Sequence, residues 1–119
     1  MQDHDEAIRL DPQNFKYYYN RGNAYFKLGQ HERAIQDYDE AIRLDPQHAI
    51  AYSNRGVAYA NLGQYERAVQ DYDEAIRLDP EDAEAYYSRG MAYARLDQTE
   101  QSNQDFDDAI RLNPSLKRP

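Results

Sequence analysis

Carboxylates recur in this chain in a fixed pattern: Asp37, Asp39 and Glu40; Asp71, Asp73 and Glu74; Asp105, Asp107 and Asp108. Clusters of this kind suggest a metal site or an acidic ridge for a basic partner. The first fails on geometry. The triplets lie in helical patterns rather than in a glycine-turned calcium loop, so carboxylates two residues apart do not converge. Helical spacing instead places Asp39, Asp73 and Asp107 four residues before Arg43, Arg77 and Arg111. That order favours ion pairs along one helix, each worth about 0.2–0.5 kcal/mol. A solvated, internally paired face is therefore expected in preference to a ridge. His4, His31 and His48 share no ligand-like spacing, and the chain has no Cys, so thiolate sites and disulfides are excluded. There is no Ser–His–Asp arrangement and no glycine loop to cradle a phosphate. These residues support neither an enzyme nor a metal or cofactor site.

Composition agrees. The 119 residues are 40% hydrophobic and 30% charged, as expected of a folded chain rather than a disordered one. A net charge of −8 argues against nucleic acid, which is bound through clustered Lys and Arg. Apolar runs are only a few residues long, so neither a membrane span nor a signal-peptide core is expected, and a cytoplasmic setting follows as the expectation.

The elements that carry these residues are copies of one another. Tyr18, Tyr52 and Tyr86 are 34 residues apart, as are Gly22, Gly56 and Gly90; Ala41, Ala75 and Ala109; and Pro46, Pro80 and Pro114. A period of this size means stacked structural repeats. Within one copy, Tyr18, Gly22, Tyr25 and Leu28 follow helical spacing, and Gly29 suits the left-handed residue that ends a helix. A second helical pattern runs through Ala34, Tyr38, Ala41, Ile42 and Leu44 until Asp45–Pro46 stops it. Each copy is thus an antiparallel helical hairpin. The expected divisions are 1–14, the second helix of a truncated repeat; 15–48, 49–82 and 83–116, three full repeats; and 117–119, a tail, all within one domain. Gly56 and its equivalents, with Ala68 and Ala75, are read as small residues that let paired helices approach while Tyr rings fill the space. In the third copy, Asp97, Thr99, Ser102 and Asn103 replace Gly, Tyr, Ala and Val, which reads as a polar outer face at the end of an array.

At this point the chain resembles a known family. Tyr52, Gly56, Tyr59, Ala68, Tyr72, Ala75 and Pro80 follow the tetratricopeptide repeat pattern over 34 residues, with Tyr where Trp is frequent. The resemblance implies an all-α fold, a right-handed superhelical solenoid of antiparallel helix hairpins, with first helices lining a concave groove. It also implies a non-catalytic scaffold that holds a peptide or partner helix there. One departure is that Arg21, Arg55 and Arg89 stand where the family usually has Leu; they are expected to pair with carboxylates such as Asp37, Asp71 or Asp105.

By the same resemblance the groove is lined by Lys16, Tyr19, Asn20, Asn23, Phe26 and Lys27 from the first copy. The second contributes Ile50, Ser53, Asn54, Val57 and Asn61, and the third Glu84, Tyr87, Ser88, Met91 and Arg95. These positions vary between copies while the packing positions do not. Tyr19, Phe26, Val57, Tyr87 and Met91 are expected to form an exposed apolar stripe suited to an extended peptide or an amphipathic helix. Family members that bind chaperone tails hold a terminal carboxylate with two Asn and three basic residues. Asn23 and Asn54 match the amides, but Tyr19, Glu84 and Ser88 stand where the cations belong, so useful binding of such tails is not expected. The alternative function is structural: self-assembly through uncovered terminal helices, by head-to-tail stacking or helix exchange, with no dedicated ligand.

Overall fold

The computed structural model describes all residues, 1–119. Seven helices follow one another: α1 (Gln2–Leu10), α2 (Phe15–Lys27), α3 (His31–Leu44), α4 (Ala49–Asn61), α5 (Tyr65–Leu78), α6 (Ala83–Arg95) and α7 (Thr99–Leu112). They pack as hairpins α2–α3, α4–α5 and α6–α7, each docked on the next, in a body of 47 × 25 × 23 Å. The first helices α2, α4 and α6 also touch one another across hairpins, whereas α3, α5 and α7 do not. The stack therefore bends toward the α2–α4–α6 side, and that side is the inner surface. The result is an all-α solenoid.

Local chemistry explains the helix ends. Gly29 and Gly63 adopt φ of 75° and 77°, and the amides of Gln30 and Gln64 reach back to the carbonyls of Tyr25 and Tyr59 at 2.9 Å. That is a left-handed helix stop, which glycine adopts without steric cost. Asp97 takes the same conformation at φ 60° without that freedom. The hydroxyls of Tyr18 and Tyr52 donate to the carbonyls of Pro12 and Pro46 at 3.1 and 3.2 Å, pinning the loop that enters each first helix.

The core is built of small residues and rings. Ala34, Ala41, Ala51, Ala58, Ala68, Ala75, Ala85, Ala92 and Ala109 are buried, and Tyr38 and Tyr72 are the largest fully buried side chains. A Cβ on Gly56 would lie 2.7 Å from Cε1 of Tyr72, so the ring rests directly on the α4 backbone.

One member of each carboxylate triplet leaves the solvated face expected from the sequence, while Asp39, Asp73 and Asp107 stay exposed. Asp37, Asp71 and Asp105 are 4%, 5% and 2% exposed. Each accepts two hydrogen bonds, at 2.6–2.9 Å, from Arg21, Arg55 and Arg89 respectively, which resolves the pairing of those arginines. Each arginine also donates to the preceding hairpin or helix: Arg21 to Asp5 (3.0 Å), Arg55 to Asp39 (2.8 Å) and Arg89 to Asp73 (2.9 Å). One guanidinium thus ties three consecutive helices together. The pairs four residues apart do not form. Arg43, Arg77 and Arg111 turn instead to Glu40, Glu74 and Asp108, three residues back, because Asp39 and Asp73 are drawn across to the next arginine and Asp107 to Arg118.

The polar substitutions of the third hairpin are also not a single outer face. Ser102 is buried, and its hydroxyl donates to the Gly90 carbonyl at 2.8 Å, inside the hairpin; Thr99 and Asn103 are exposed. The C-terminal residues fold back on this end: Tyr87 donates to the Lys117 carbonyl at 2.8 Å, and Arg118 lies over Phe106 and bonds Asp107 at 2.7 Å.

Candidate functional site

The inner surface is organised by helical spacing. Residues 23, 57 and 91 occupy one equivalent position on α2, α4 and α6, and residues 27, 61 and 95 another, one turn later, where each first helix ends. Two cavities open side by side along it. One, of about 370 Å³, lies between α2 and α4 and is lined by Asn23, Phe26, Lys27, Tyr38, Asn54 and Val57. The other, of about 220 Å³, lies between α4 and α6 and is lined by Val57, Ala60, Asn61, Tyr65, Tyr72, Ser88, Met91, Ala92 and Arg95. Val57 is the wall they share. A third hollow of about 250 Å³ gathers Glu84, Tyr87, Ser88 and Leu116 near the end of the stack.

Between α2 and α4 a polar network crosses the joint. The Tyr38 hydroxyl donates to Asn23 Oδ1 at 2.5 Å, and Asn54 Nδ2 donates to both Asn23 Oδ1 and the Tyr19 hydroxyl at 3.2 Å. Burial pushes the Tyr38 phenol well above the ordinary tyrosine value, which keeps it a neutral donor. Tyr72 is pushed up for the same reason, with Ser88 opposing. The network leaves the Asn23 amide nitrogen and the Asn54 carbonyl oxygen without side-chain partners, a donor and an acceptor beside one cavity.

Of the positions assigned to the groove from the sequence, Asn23, Phe26, Lys27, Asn54, Val57, Asn61, Glu84, Tyr87, Ser88, Met91 and Arg95 line these cavities. Lys16, Asn20 and Ile50 are exposed but line none of the three, and Ser53 has its hydroxyl oxygen buried without a hydrogen-bond partner. The expected exposed stripe is half-buried except at Met91, which is 48% exposed. Tyr19 stacks edge-on against His48 at 4.7 Å, Phe26 against His31 at 5.1 Å, and Tyr87 against Phe106 at 5.2 Å. The Tyr19–His48 contact crosses the first joint, the other two lie within a hairpin, and Tyr19 lines none of the three cavities. His31 and His48 thus serve as aromatic packing, and burial pushes the His48 imidazole down, with Asp45 opposing. Tyr38, Tyr65 and Tyr72, from the second helices, line cavities that the sequence reading gave to first helices alone. The variation His31, Tyr65, Thr99 at one repeat position is the signal that could have drawn attention to Tyr65.

Residues 22–63 and 61–97 match the TPR repeat family model, and residues 5–36 and 83–116 match further tetratricopeptide repeat models. The chain belongs to the tetratricopeptide repeat family. No curated protein matches it in sequence. Among solved structures, the first TPR domain of Spaghetti (RPAP3), bound to the HSP90 peptide SRMEEVD, superposes with a TM-score of 0.85 at 30% identity, over 89% of this chain and 84% of that one. The second TPR domain of Spaghetti, bound to the same peptide, gives 0.83 at 35% identity, over 91% and 99%. MamA gives 0.91 at 26% identity, over 95% of this chain and 66% of that one. Tetratricopeptide repeats are protein-interaction modules. In this member of the family, Asn23 and Asn54 lie together at the first joint, while Tyr19, Glu84 and Ser88 bring no positive charge to the inner surface.

Proposed function

We propose that this chain is a non-enzymatic interaction scaffold that holds a peptide or partner helix in the groove of α2, α4 and α6. The observation that carries the reading is the pair of adjoining cavities sharing Val57, with an unpaired amide donor and acceptor beside them. A free donor and a free acceptor complement the C=O and N–H of a main chain, so Asn23 and Asn54 would grip backbone while the cavities take side chains. Lys16, Asn20, Ile50 and Ser53 are proposed as outlying or supporting positions. Screening an array of peptides against the intact chain should give ligands whose affinity drops at least tenfold with Val57→Asp. Unchanged affinity in Val57→Asp and in Tyr19→Ala/Tyr87→Ala would remove the groove as the site.

Although the Spaghetti domains are bound to an HSP90 peptide, that ligand is not proposed here. A carboxylate loses most of its charge-assisted bonding when all three clamp cations are absent, and Glu84 repels it. Micromolar binding of SRMEEVD to this chain in calorimetry would overturn that exclusion.

A second reading is self-association, favoured by the arginine ladder. Asp5, Asp39 and Asp73 each accept from the arginine of the following hairpin, and Asp107, next in the series, is held only by Arg118 of the C-terminal segment. Arg21 of a second copy would continue the ladder there by exchanging Asp5 of its own α1 for Asp107, giving head-to-tail stacking with α1 displaced. Light scattering over a concentration series should then show growth in mass, stronger at high salt because like net charges are screened. A monomer at every concentration and salt would sink it.

A further inference from the structure

The positive charges of this molecule differ in their partners, and Lys16 and Lys117 stand outside the groove cavities without a carboxylate partner. Eight arginines, at positions 9, 21, 43, 55, 77, 89, 111 and 118, lie within 4 Å of a carboxylate of the same chain. Arg33 and Arg67 bond Gln30 and Gln64 and lie over Tyr25 and Tyr59. Lys27 and Arg95 have no carboxylate partner, although the chain carries 22 acidic residues, and both border the groove cavities. They stand at the same repeat position, the last residue of α2 and of α6, with Asn61 between them on α4. One rim of the groove therefore reads cation, amide, cation beside two apolar cavities. A helix C-terminus favours a cation, which accounts for the residue type. It does not account for a missing carboxylate in a chain that satisfies most of its other arginines.

Resting on the reading of the groove as the binding site, we propose that its ligand is an extended acidic segment in which apolar and acidic residues alternate. Successive side chains of an extended segment point to opposite sides. Apolar side chains seated in the cavities on either side of Val57 would leave the intervening carboxylates directed to the rim. Arg95 is already positioned for one of them: its guanidinium lies over the Tyr65 ring at 5.9 Å, which leaves its N–H edge available for a bidentate contact. Lys27 supplies a point charge at the other cavity. This arrangement reads internal carboxylates and needs no chain terminus, so it differs from recognition of a carboxyl-terminal tail.

The test uses peptides of the sequence Leu-Glu-Leu-Glu-Leu-Glu, carrying fluorescein on the N-terminal amine and amidated at the C-terminus, with the Glu→Gln counterpart, against the full chain by fluorescence anisotropy. The Glu peptide should bind roughly tenfold tighter than the Gln peptide. Lys27→Gln/Arg95→Gln should erase that preference by weakening the Glu peptide roughly tenfold more than the Gln peptide, and circular dichroism melts should show the variant folded. Equal binding of both peptides, with both lost in Val57→Asp, overturns the charge inference and leaves the groove intact. Binding of neither peptide, or binding indifferent to Val57→Asp, overturns the inference along with its premise.

Discussion

Asp71 and Asp39 both bond Arg55, yet they stand in different surroundings. The Asp71 side chain is 6% exposed and the Asp39 side chain 53%. Burial pushes the Asp71 carboxyl above the ordinary aspartate range, and Arg55 works against that shift with two hydrogen bonds. Removing one member of a buried pair strands the other charge and costs about 3–5 kcal/mol, whereas an exposed pair contributes about 0–1 kcal/mol. Asp71→Ala should therefore lower the urea-unfolding free energy several times more than Asp39→Ala. Similar losses for the two would show that the guanidinium is held chiefly from the preceding hairpin. The same contrast gives residues 37, 71 and 105 a structural role, and it accounts for arginine where the family usually carries leucine: the stem packs and the fork joins three helices.

Helix pairing depends on a close approach that only one residue type permits. At Gly56 an added methyl would meet the Tyr72 ring at 2.7 Å and Asp71 Cβ at 3.2 Å, with Tyr72 itself buried. Alanine gains about 1 kcal/mol of helix propensity over glycine, while overpacking a filled core costs typically about 1–3 kcal/mol. Gly56→Ala is expected to be net destabilising, read as a lower denaturation midpoint. A stabilised variant would mean that α4 and α5 can slide apart at no cost. The same approach sets the floor of the groove, since Tyr72 lines the α4–α6 cavity from behind.

The whole molecule is a linear stack in which each hairpin packs on its chain neighbours, so stability is a sum of local and nearest-neighbour terms. Tyr72 lies in the middle, in a cluster with Ala68 and Ala92 that joins α5 to α6. Phe106 lies on α7, beneath Tyr87 and Arg118. Truncating a large core ring costs about 3–5 kcal/mol where the site cannot collapse. Tyr72→Ala should fall in that range and Phe106→Ala below it, as measured by chemical denaturation. Equal losses would contradict a nearest-neighbour stack. The α2–α4 and α4–α6 cavities lie at the two joints where hairpin meets hairpin.

The repeating hairpin was legible in the chain because helix period, glycine stops and proline breaks are local signals, and the repeat prints them several times. Gly29, Gly63, Pro46 and the buried positions Tyr38, Ala41, Tyr72 and Ala75 are all recoverable from spacing alone. Most of the positions that vary between copies line the inner-surface cavities. Other features depended on how close the helices approach. Arg55 had carboxylates 16 residues away in both directions, and only the crossing of three helices shows that it takes both. Tyr65 joins the cavity wall because α5 packs behind α4 and α6, and Ser102 turns inward because the Gly90 carbonyl lies within reach. Sequence period gives the face on which a side chain begins; tertiary packing decides which neighbour it reaches.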